Sequence, residues 1–546
     1  MQKTPESPID KVVFWAAAVI SASFVAWGAL SPKAMATALQ ALLDTIIDEF
    51  GWSFVVSTVF FLGFALFLAF GRFGRIKLGK DGEQPEFSTS SWIAMMFSVG
   101  MGIGLMFWGV AEPITHFATP PHGLAQPHSR EAAKLAMEYA YFHWAFHPWA
   151  IYAIVGLVIA YFSFRKGLPN LISSAFTPLI GEAGVRGPLG KSIDVLAVLA
   201  TLFGTATSLG LGAQQINSGL NYLWHTGESN GIALTIIAGM TVLFILSAVS
   251  GVGKGVQFLS NVNMVVAVLL LLFLAAVGPS VFIMNTLVAS IGEYIRELVP
   301  MSFRTAAFSD GKWLAGWTIF YWAWWISWAP FVGTFIARIS RGRSIREFIV
   351  CVIFIPSGVT MVWFSIMGGA ALYSELAGAG GIAAAVNDQG PAVALFVLLA
   401  QYPAATLTSF AAIVLIGVFF ISGADAGSIV MGMLCARGNL EPPRWLVVLW
   451  GTLAGAAASV LLVMGGLGGL QTAAIIVAAP FLMVMIGMCV SLWKALLDDQ
   501  QVGEAREPCA ALSDAERAAC ACAQRAMPGA LIKKGSSKLP FSQPVP

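Results

Sequence analysis

Aromatic residues are concentrated in residues 313–346, an apolar stretch that holds six of the 18 tryptophans of the chain. At about 100° per residue, a helix would place five of its aromatic side chains within one arc about 100° wide. These are Trp317, Tyr321, Trp324, Trp325 and Trp328. Such a face is typical of packing or an interfacial belt, or of a cage whose rings hold a cation that cannot donate hydrogen bonds. Because belts lie at helix ends and this cluster continues toward the middle of the span, we also weigh a cage for a quaternary ammonium group.

Three glycines within five residues, Gly100, Gly102 and Gly104, interrupt another apolar stretch. Small residues at this spacing allow helices to pack closely. They also expose backbone that can line a cavity. Each glycine costs a helix about 1 kcal/mol, and packing seldom needs three of them on different faces. We therefore predict an unwound segment here.

Two other groups of side chains could take part in the same chemistry. Trp144, Trp149 and Tyr152 surround Pro148 and could be either packed core or further cage walls. Thr205 and Ser208 are three residues apart, so they share a helix face. Hydroxyls in membrane helices usually bond back to their own backbone, but oxygen donors are also what a hard cation requires.

The composition indicates a membrane protein that crosses the bilayer many times. Of 546 residues, 58% are hydrophobic and only 11% are charged, whereas soluble proteins have about 25% charged residues. No basic tract suggests nucleic acid. Neither a repeated pore filter nor a catalytic motif such as H-E-x-x-H is present, which argues against a channel and against an enzyme.

Hydropathy predicts twelve membrane-spanning helices and two interfacial segments. The predicted spans are residues 12–30, 52–71, 90–112, 139–163, 190–219, 231–250, 257–286, 313–338, 346–372, 405–434, 444–465 and 468–496. The interfacial segments are residues 34–50, expected to lie flat on the surface, and 287–300. Lysine and arginine are concentrated in alternate loops, which predicts that both termini are cytoplasmic.

Four motifs, in this order, resemble the betaine/choline/carnitine transporter family. They are G-M-G-I-G at 100–104, H-W-A-F-H-P-W-A-I-Y at 143–152, G-T-A-T-S-L-G-L-G at 204–212 and Y-W-A-W-W-I-S-W-A-P-F-V-G at 321–333. The resemblance covers about residues 12–497 and strongly favours the cage.

The resemblance implies an all-α fold with two inverted five-helix repeats of the LeuT type behind two additional N-terminal helices. The expected regions are a tail at 1–11, the additional helices at 12–89, the first repeat at 90–312, the second at 313–497 and a cytoplasmic tail at 498–546. Each repeat's first helix carries an unusual element at mid-depth: the three glycines in one, and the tryptophan cluster with Pro330 in the other. Interrupted helices at corresponding positions point to the binding site.

The resemblance also implies a site. Trp144, Trp149, Tyr152 and Trp325 would form the central aromatic box, and Trp324 and Trp328 would line the cytoplasmic pathway. Gly100, Met101, Gly102 and Gly104 would offer backbone to a substrate carboxylate. The sodium ligands would be Thr205, Ser208, Ser422 and the carbonyls of Ser98, Met101 and Phe419.

Two positions depart from the family pattern. Choline-type members often carry an acidic residue where this chain has Gly104, which favours a zwitterion such as glycine betaine. Gly423 stands where sodium-coupled members commonly have serine, and this puts the second sodium site in doubt. Asp425, in the same span, is expected to be structural, with proton coupling as the alternative.

The sequence therefore predicts a secondary transporter in the inner (plasma) membrane that imports glycine betaine with sodium. The family implies a homotrimer, with sodium as coupling ion and no other cofactor. The alternatives are a proton-coupled transporter of choline or a similar trimethylammonium or dimethylsulfonium compound, and a sodium-independent exchanger.

Overall fold

The computed structural model describes an all-helical protein over residues 9–100, 102–250 and 253–510, with side chains for 9–96, 102–248 and 261–499. In those ranges the only β-type pairing is an isolated bridge between Lys77 and Ser344. The α-helices are α1 (Lys11–Leu30), α2 (Pro32–Phe70), α3 (Thr89–Gly100), α4 (Ile103–Ala118), α5 (Arg130–Trp144), α6 (Phe146–Ala160), α7 (Thr177–Arg186), α8 (Pro188–Trp224), α9 (Asn230–Ser250), α10 (Gly253–Val277), α11 (Ser280–Ser302), α12 (Lys312–Leu314), α13 (Phe320–Ile339), α14 (Ile345–Ala377), α15 (Ile382–Gln389), α16 (Ala394–Leu399), α17 (Ala405–Cys435) and α18 (Arg444–Ala510). Two π-helical segments, Tyr161–Arg165 and Ala315–Ile319, follow α6 and α12.

The chain divides into two compact units, Met1–Ser491 and Leu492–Pro546. The first unit contains every site discussed below. The described part of the second unit is the C-terminal end of α18, which continues as helix to Ala510. Most of the predicted cytoplasmic tail, residues 498–546, lies outside the described residues.

Long apolar helices confirm a membrane protein that crosses the bilayer many times. Within the described residues, eight helices are long and apolar enough to span, and a ninth if the bent pair Asn261–Val277 and Ser280–Ser302 counts as one. Two predicted spans share one helix: α18 covers both 444–465 and 468–496, with non-helical backbone at Gly465 and Gly466. The number twelve and the inverted repeat stay predictions.

Two predicted interfacial segments differ from expectation. Residues 34–50 do not form a separate helix, because α2 runs without a break through Pro32–Phe70. No proline follows Pro32 in that helix, so nothing in the sequence ends it before the apolar half. Residues 287–300 belong to a longer helix, α11, which lies at 109° to the preceding helix.

Two predicted interruptions have different outcomes. The glycine segment does break its span, since α3 ends at Gly100 and α4 begins at Ile103 after an extended Gly102 with φ −168° and ψ −172°. Pro330 does not break its span, because α13 continues through it. The irregularity in that second span is instead the π-helix Ala315–Ile319, before the tryptophan cluster.

Glycines let three long helices approach closely around the site. α8 packs against α13 and α17. A Cβ on Gly204 of α8 would lie 2.5 Å from Trp328 of α13. A Cβ on Gly427 of α17 would lie 2.6 Å from the hydroxyl of Thr205. Since real Cβ atoms do not approach other atoms so closely, a larger residue at either position would push the helices apart.

Candidate functional site

One cavity of about 330 Å³ lies where the first residues of α4, just after the break between α3 and α4, meet α6, α8, α13 and α17. Twelve of the predicted site residues line it: Gly102, Gly104, Trp144, Trp149, Tyr152, Thr205, Ser208, Trp324, Trp325, Trp328, Phe419 and Ser422. Residues far apart in the sequence, from both predicted repeats, therefore meet around one space. Its volume is at the small end of the range of about 300–1,000 Å³ that is usual for ligand pockets.

The aromatic walls of the cavity are fixed by contacts with one another. The Trp144 and Trp325 rings lie 4.8 Å apart with an interplanar angle of 72°, so two faces form a corner. Tyr152 stands edge-on to Trp325 at 6.2 Å, and Trp149 to Tyr152 at 5.6 Å. Trp324 stacks on Trp325 at 4.7 Å. The corner presents several ring faces to one small volume.

Hydrogen bonds hold the two corner tryptophans by their indole nitrogens. Trp325 Nε1 donates to the backbone oxygen of His143 at 3.0 Å. Trp144 Nε1 donates to Glu112 Oε2 at 2.7 Å. Among the described residues, the buried Nε1 atoms of Trp324 and Trp328 have no partner.

The glycine segment forms one edge of the cavity. A Cβ on Gly104 would lie 2.8 Å from Trp144 and 3.0 Å from Trp324, whereas one on Gly102 would meet nothing within 4 Å. The two tryptophan rings therefore occupy the space that any larger residue at position 104 would need. Gly100 is the last residue of α3, and Met101 lies outside the described residues.

Four of the predicted sodium ligands line the cavity: Thr205, Ser208, Phe419 and Ser422. Ser208 Oγ donates to the Gly204 oxygen at 3.4 Å, and Ser422 Oγ donates to the Phe419 oxygen at 3.3 Å. Both hydroxyls thus bond back to their own helices in this structure. Thr205 is buried beside α17. Ser98 lies near the end of α3, but its side chain is outside the described residues.

Two residues of α17 that bear on the coupling ion also line the cavity. Gly423 has open space at its Cβ position, with nothing within 4 Å. Asp425 lines the cavity one helical turn after Ser422. It is the only charged residue among the described residues that line this cavity.

A buried carboxylate behind the cavity was missed by sequence reasoning. Glu112 in α4 has no exposed surface, and four side chains converge on it. Its Oε1 accepts from His143 Nδ1 at 2.7 Å and from His116 Nε2 at 3.3 Å. Its Oε2 accepts from Trp144 Nε1 at 2.7 Å and from the Tyr321 hydroxyl at 2.5 Å.

The sequence did carry a signal for this network, because Glu112 ends a predicted span in the run F-W-G-V-A-E-P. An acid inside a span must have partners, but nothing in the sequence names them. Ligand atoms of Glu112, His116 and His143 lie within 4.8 Å of one another, a spacing that a metal ion could use. Both Glu112 oxygens already accept hydrogen bonds, however, and the arrangement is explained as a hydrogen-bonded network.

Comparisons with known proteins find similar sequences over about nine tenths of the chain. Residues 12–501 match the model of the betaine/carnitine/choline family transporters. The chain is 49% identical over 492 residues to the glycine betaine transporter OpuD of Bacillus subtilis (strain 168), covering 90% of this chain and 95% of that protein. It is 45% identical over 497 residues to a probable glycine betaine transporter of Desulfitobacterium hafniense (strain Y51), covering 90% and 99%. It is 42% identical over 502 residues to a glycine betaine transporter of Acinetobacter baylyi, covering 91% and 76%.

Proposed function

The chain belongs to the betaine/carnitine/choline family of transporters, and from that premise we propose that it imports glycine betaine by sodium symport with alternating access. It is a membrane transporter rather than an enzyme. The observation that carries the substrate proposal is the aromatic corner of Trp144, Trp149, Tyr152 and Trp325 on a cavity whose described lining contains no Lys, Arg or His.

The corner suits a quaternary ammonium group. Such a group has no N–H to donate, so ordinary acceptors cannot recognise it, but the negative faces of several rings attract it. All four aromatic side chains are at most 7% exposed. A cation that enters this site therefore exchanges water for ring faces, and the attraction is strongest where water is excluded.

The rest of the cavity favours a zwitterion over a free cation. Gly104 contributes no acidic side chain at the glycine segment. The unpaired indole N–H groups of Trp324 and Trp328 are buried donors beside the cavity, and buried donors are stabilised by an acceptor. A substrate that carries its own carboxylate supplies that acceptor. Similar proteins named as glycine betaine transporters support the same assignment.

Sodium is the coupling ion that this lining supports best. A hard monovalent cation is held by hydroxyl and carbonyl oxygens, which Thr205, Ser208, Ser422 and the carbonyl of Phe419 would offer. The serine hydroxyls would turn from their own helix carbonyls toward the ion. Ion binding between α8 and α17, beside the broken α3–α4 segment, would order the backbone that meets the substrate.

The shape of the cavity supports alternating access. It follows α13 from Trp324 to Phe335, about 16 Å along the helix axis. With both termini cytoplasmic, as we propose, this path leads toward the cytoplasmic side. We further propose the plasma membrane as location and a homotrimer as assembly.

Uptake into proteoliposomes tests the function. Purified protein should accumulate labelled glycine betaine against its gradient when sodium is higher outside, and betaine should compete better than choline, carnitine or dimethylsulfoniopropionate. Equal uptake in sodium and potassium that follows an inward proton gradient would instead support the second candidate, proton coupling. Asp425 is the observation that keeps this candidate open, because a cavity-lining carboxylate can carry a proton.

A further inference from the structure

The convergence of four side chains on Glu112 joins three separate parts of the chain. Glu112 and His116 belong to α4, while His143 and Trp144 end α5. Tyr321 lies in the first turn of α13, 209 residues from Glu112. A fifth group extends the network, since His143 Nε2 lies 3.0 Å from the Thr318 hydroxyl in the π-helix before α13.

Both sides of the aromatic corner are linked to this carboxylate, one directly and the other through Tyr321. Trp144, one wall, is bonded to Glu112 directly. Trp325, the other wall, lies under the Tyr321 ring at 5.8 Å with an interplanar angle of 19°, and the Tyr321 hydroxyl donates to the same Glu112 oxygen. The Tyr321 ring also meets Trp144 edge-on at 5.5 Å. A rotation of the Trp144 ring or the Tyr321 ring would break a hydrogen bond to the buried Glu112 carboxylate.

We propose that Glu112 is a positioning residue for the quaternary ammonium site, whose buried carboxylate sets the mutual orientation of Trp144 and Trp325. The proposal rests on the function proposed above, and it names the group that shapes the site without touching the substrate. It also places the anchor on α4, directly after the broken segment. Any movement of α4 relative to α13 would therefore change the relative orientation of Trp144 and Trp325.

The chemistry of the partners explains why a carboxylate is used. An indole N–H can only donate, and a carboxylate has about four acceptor positions on two oxygens. A glutamine has acceptor positions on one oxygen only, but if that oxygen faces Trp144 and Tyr321 it still holds both. A leucine of similar size holds neither. The pair Glu112→Gln and Glu112→Leu therefore separates hydrogen bonding from filling of space.

The first test is binding of glycine betaine to purified variants at saturating sodium, by titration calorimetry. We expect Glu112→Gln to stay within about threefold of the wild-type Kd and Glu112→Leu to raise it at least about tenfold, because one charge-assisted hydrogen bond contributes about 1.5 kcal/mol or more. Size-exclusion elution and thermal unfolding show whether each variant is folded. A folded Glu112→Leu protein with wild-type affinity would overturn the proposal.

A double-mutant cycle distinguishes positioning from general destabilisation. Trp144→Phe keeps an aromatic wall but has no N–H for Glu112 to hold. If Glu112 acts through Trp144, Glu112→Leu should cost much less in the Trp144→Phe background than in the wild type. Equal costs in betaine affinity in both backgrounds would mean that Glu112 acts independently of Trp144 and would refute the role.

A spectroscopic test without substrate keeps this inference separate from the proposed function. Ultraviolet resonance Raman difference spectra, with Trp144→Phe as the reference, isolate the ring mode that reports the Trp144 N–H hydrogen bond. This band should shift in Glu112→Leu toward weaker hydrogen bonding and much less in Glu112→Gln. An unshifted band refutes the positioning role even if betaine binds. A shifted band in a protein that binds no betaine refutes the substrate assignment alone.

Discussion

Replacement of Gly104 by alanine tests whether the aromatic corner is rigid. The added Cβ would lie 2.8 Å from the far edge of the Trp144 ring and 3.0 Å from that of Trp324. Comfortable carbon–carbon contacts are about 3.5–4.0 Å, so the rings must retreat by about 0.5–1 Å. Neither ring is free to move, because Trp144 is hydrogen-bonded to Glu112 and Trp324 is stacked on Trp325.

The expected cost follows from this geometry. Overpacking by one methyl in a well-packed core costs about 1–3 kcal/mol. If displacement of the rings weakens the binding free energy of glycine betaine by that amount, its Kd rises about 5- to 150-fold. The measurement is the Kd from tryptophan fluorescence titration of purified protein at saturating sodium.

Gly423→Ala is the matched control for this experiment. Gly423 lines the same cavity, but a Cβ there meets nothing within 4 Å, so the same added methyl should leave the betaine Kd within about twofold. An unchanged Kd in Gly104→Ala would refute the argument that the rings are fixed. Gly104→Asp carries at least the same steric cost, so both betaine and choline should bind less well, with the ratio of affinities shifted toward choline by the added charge.

Three further predictions concern the cage wall, the coupling ion and the loop between α4 and α5. Trp325→Ala should weaken betaine binding by about 1–3 kcal/mol through lost cation–π attraction, with Trp325→Phe retaining part of the affinity in the same fluorescence assay; an unchanged Kd would remove the cage from this position. Gly423→Ser should lower the sodium concentration for half-maximal uptake about tenfold, because an oxygen that binds a charged group contributes about 1.5 kcal/mol or more. Thr205→Ala or Ser208→Ala should instead raise the sodium concentration for half-maximal uptake by a larger factor than the betaine concentration. Equal effects on both concentrations in proteoliposomes would argue against a sodium site. Burial, and then the Arg304 charge, lower the pKa of His122 from 6.5 to about 4, so the folded state binds less proton than the unfolded state and stability falls as pH drops from about 6.5 to about 4. His122→Gln should reduce that loss in thermal unfolding scans at the two ends of this range, and an identical loss in both proteins would contradict it.

Much of the architecture could be read from the sequence because a bilayer imposes strong local rules. Long apolar stretches with few charges must be helices, and most predicted spans fall on long helices. The predicted span 257–286 is wrong as one helix, because the chain bends by 109° between Val277 and Ser280. The glycine segment was also readable, since three glycines remove helix propensity from one local stretch. The turn within α18 at Gly465 and Gly466 was likewise placed correctly by local composition.

Two other local signals were misleading. Pro330 lies inside an unbroken α13, since neighbouring groups in a packed helix bundle can satisfy the backbone oxygen that a proline leaves free. The acidic, amphipathic residues 34–50 continue directly into the apolar half of α2. At Pro330 the surrounding helices decided the outcome, whereas residues 34–50 continue as helix because no proline follows Pro32 in α2.

The sequence by itself determined the class of protein, through its composition. It also determined the clustering of aromatic residues in 313–346 and the break at the three glycines, because each of these is a property of one contiguous stretch. Only the tertiary structure decided that Glu112 would meet Tyr321 across 209 residues, that Gly104 would face two indole edges and that Asp425 would line the cavity. The physical reason is that helical periodicity fixes which side chains share a face of one helix, whereas the partner of that face depends on how separate helices cross. A buried charge must find partners, but the sequence alone does not say where they come from.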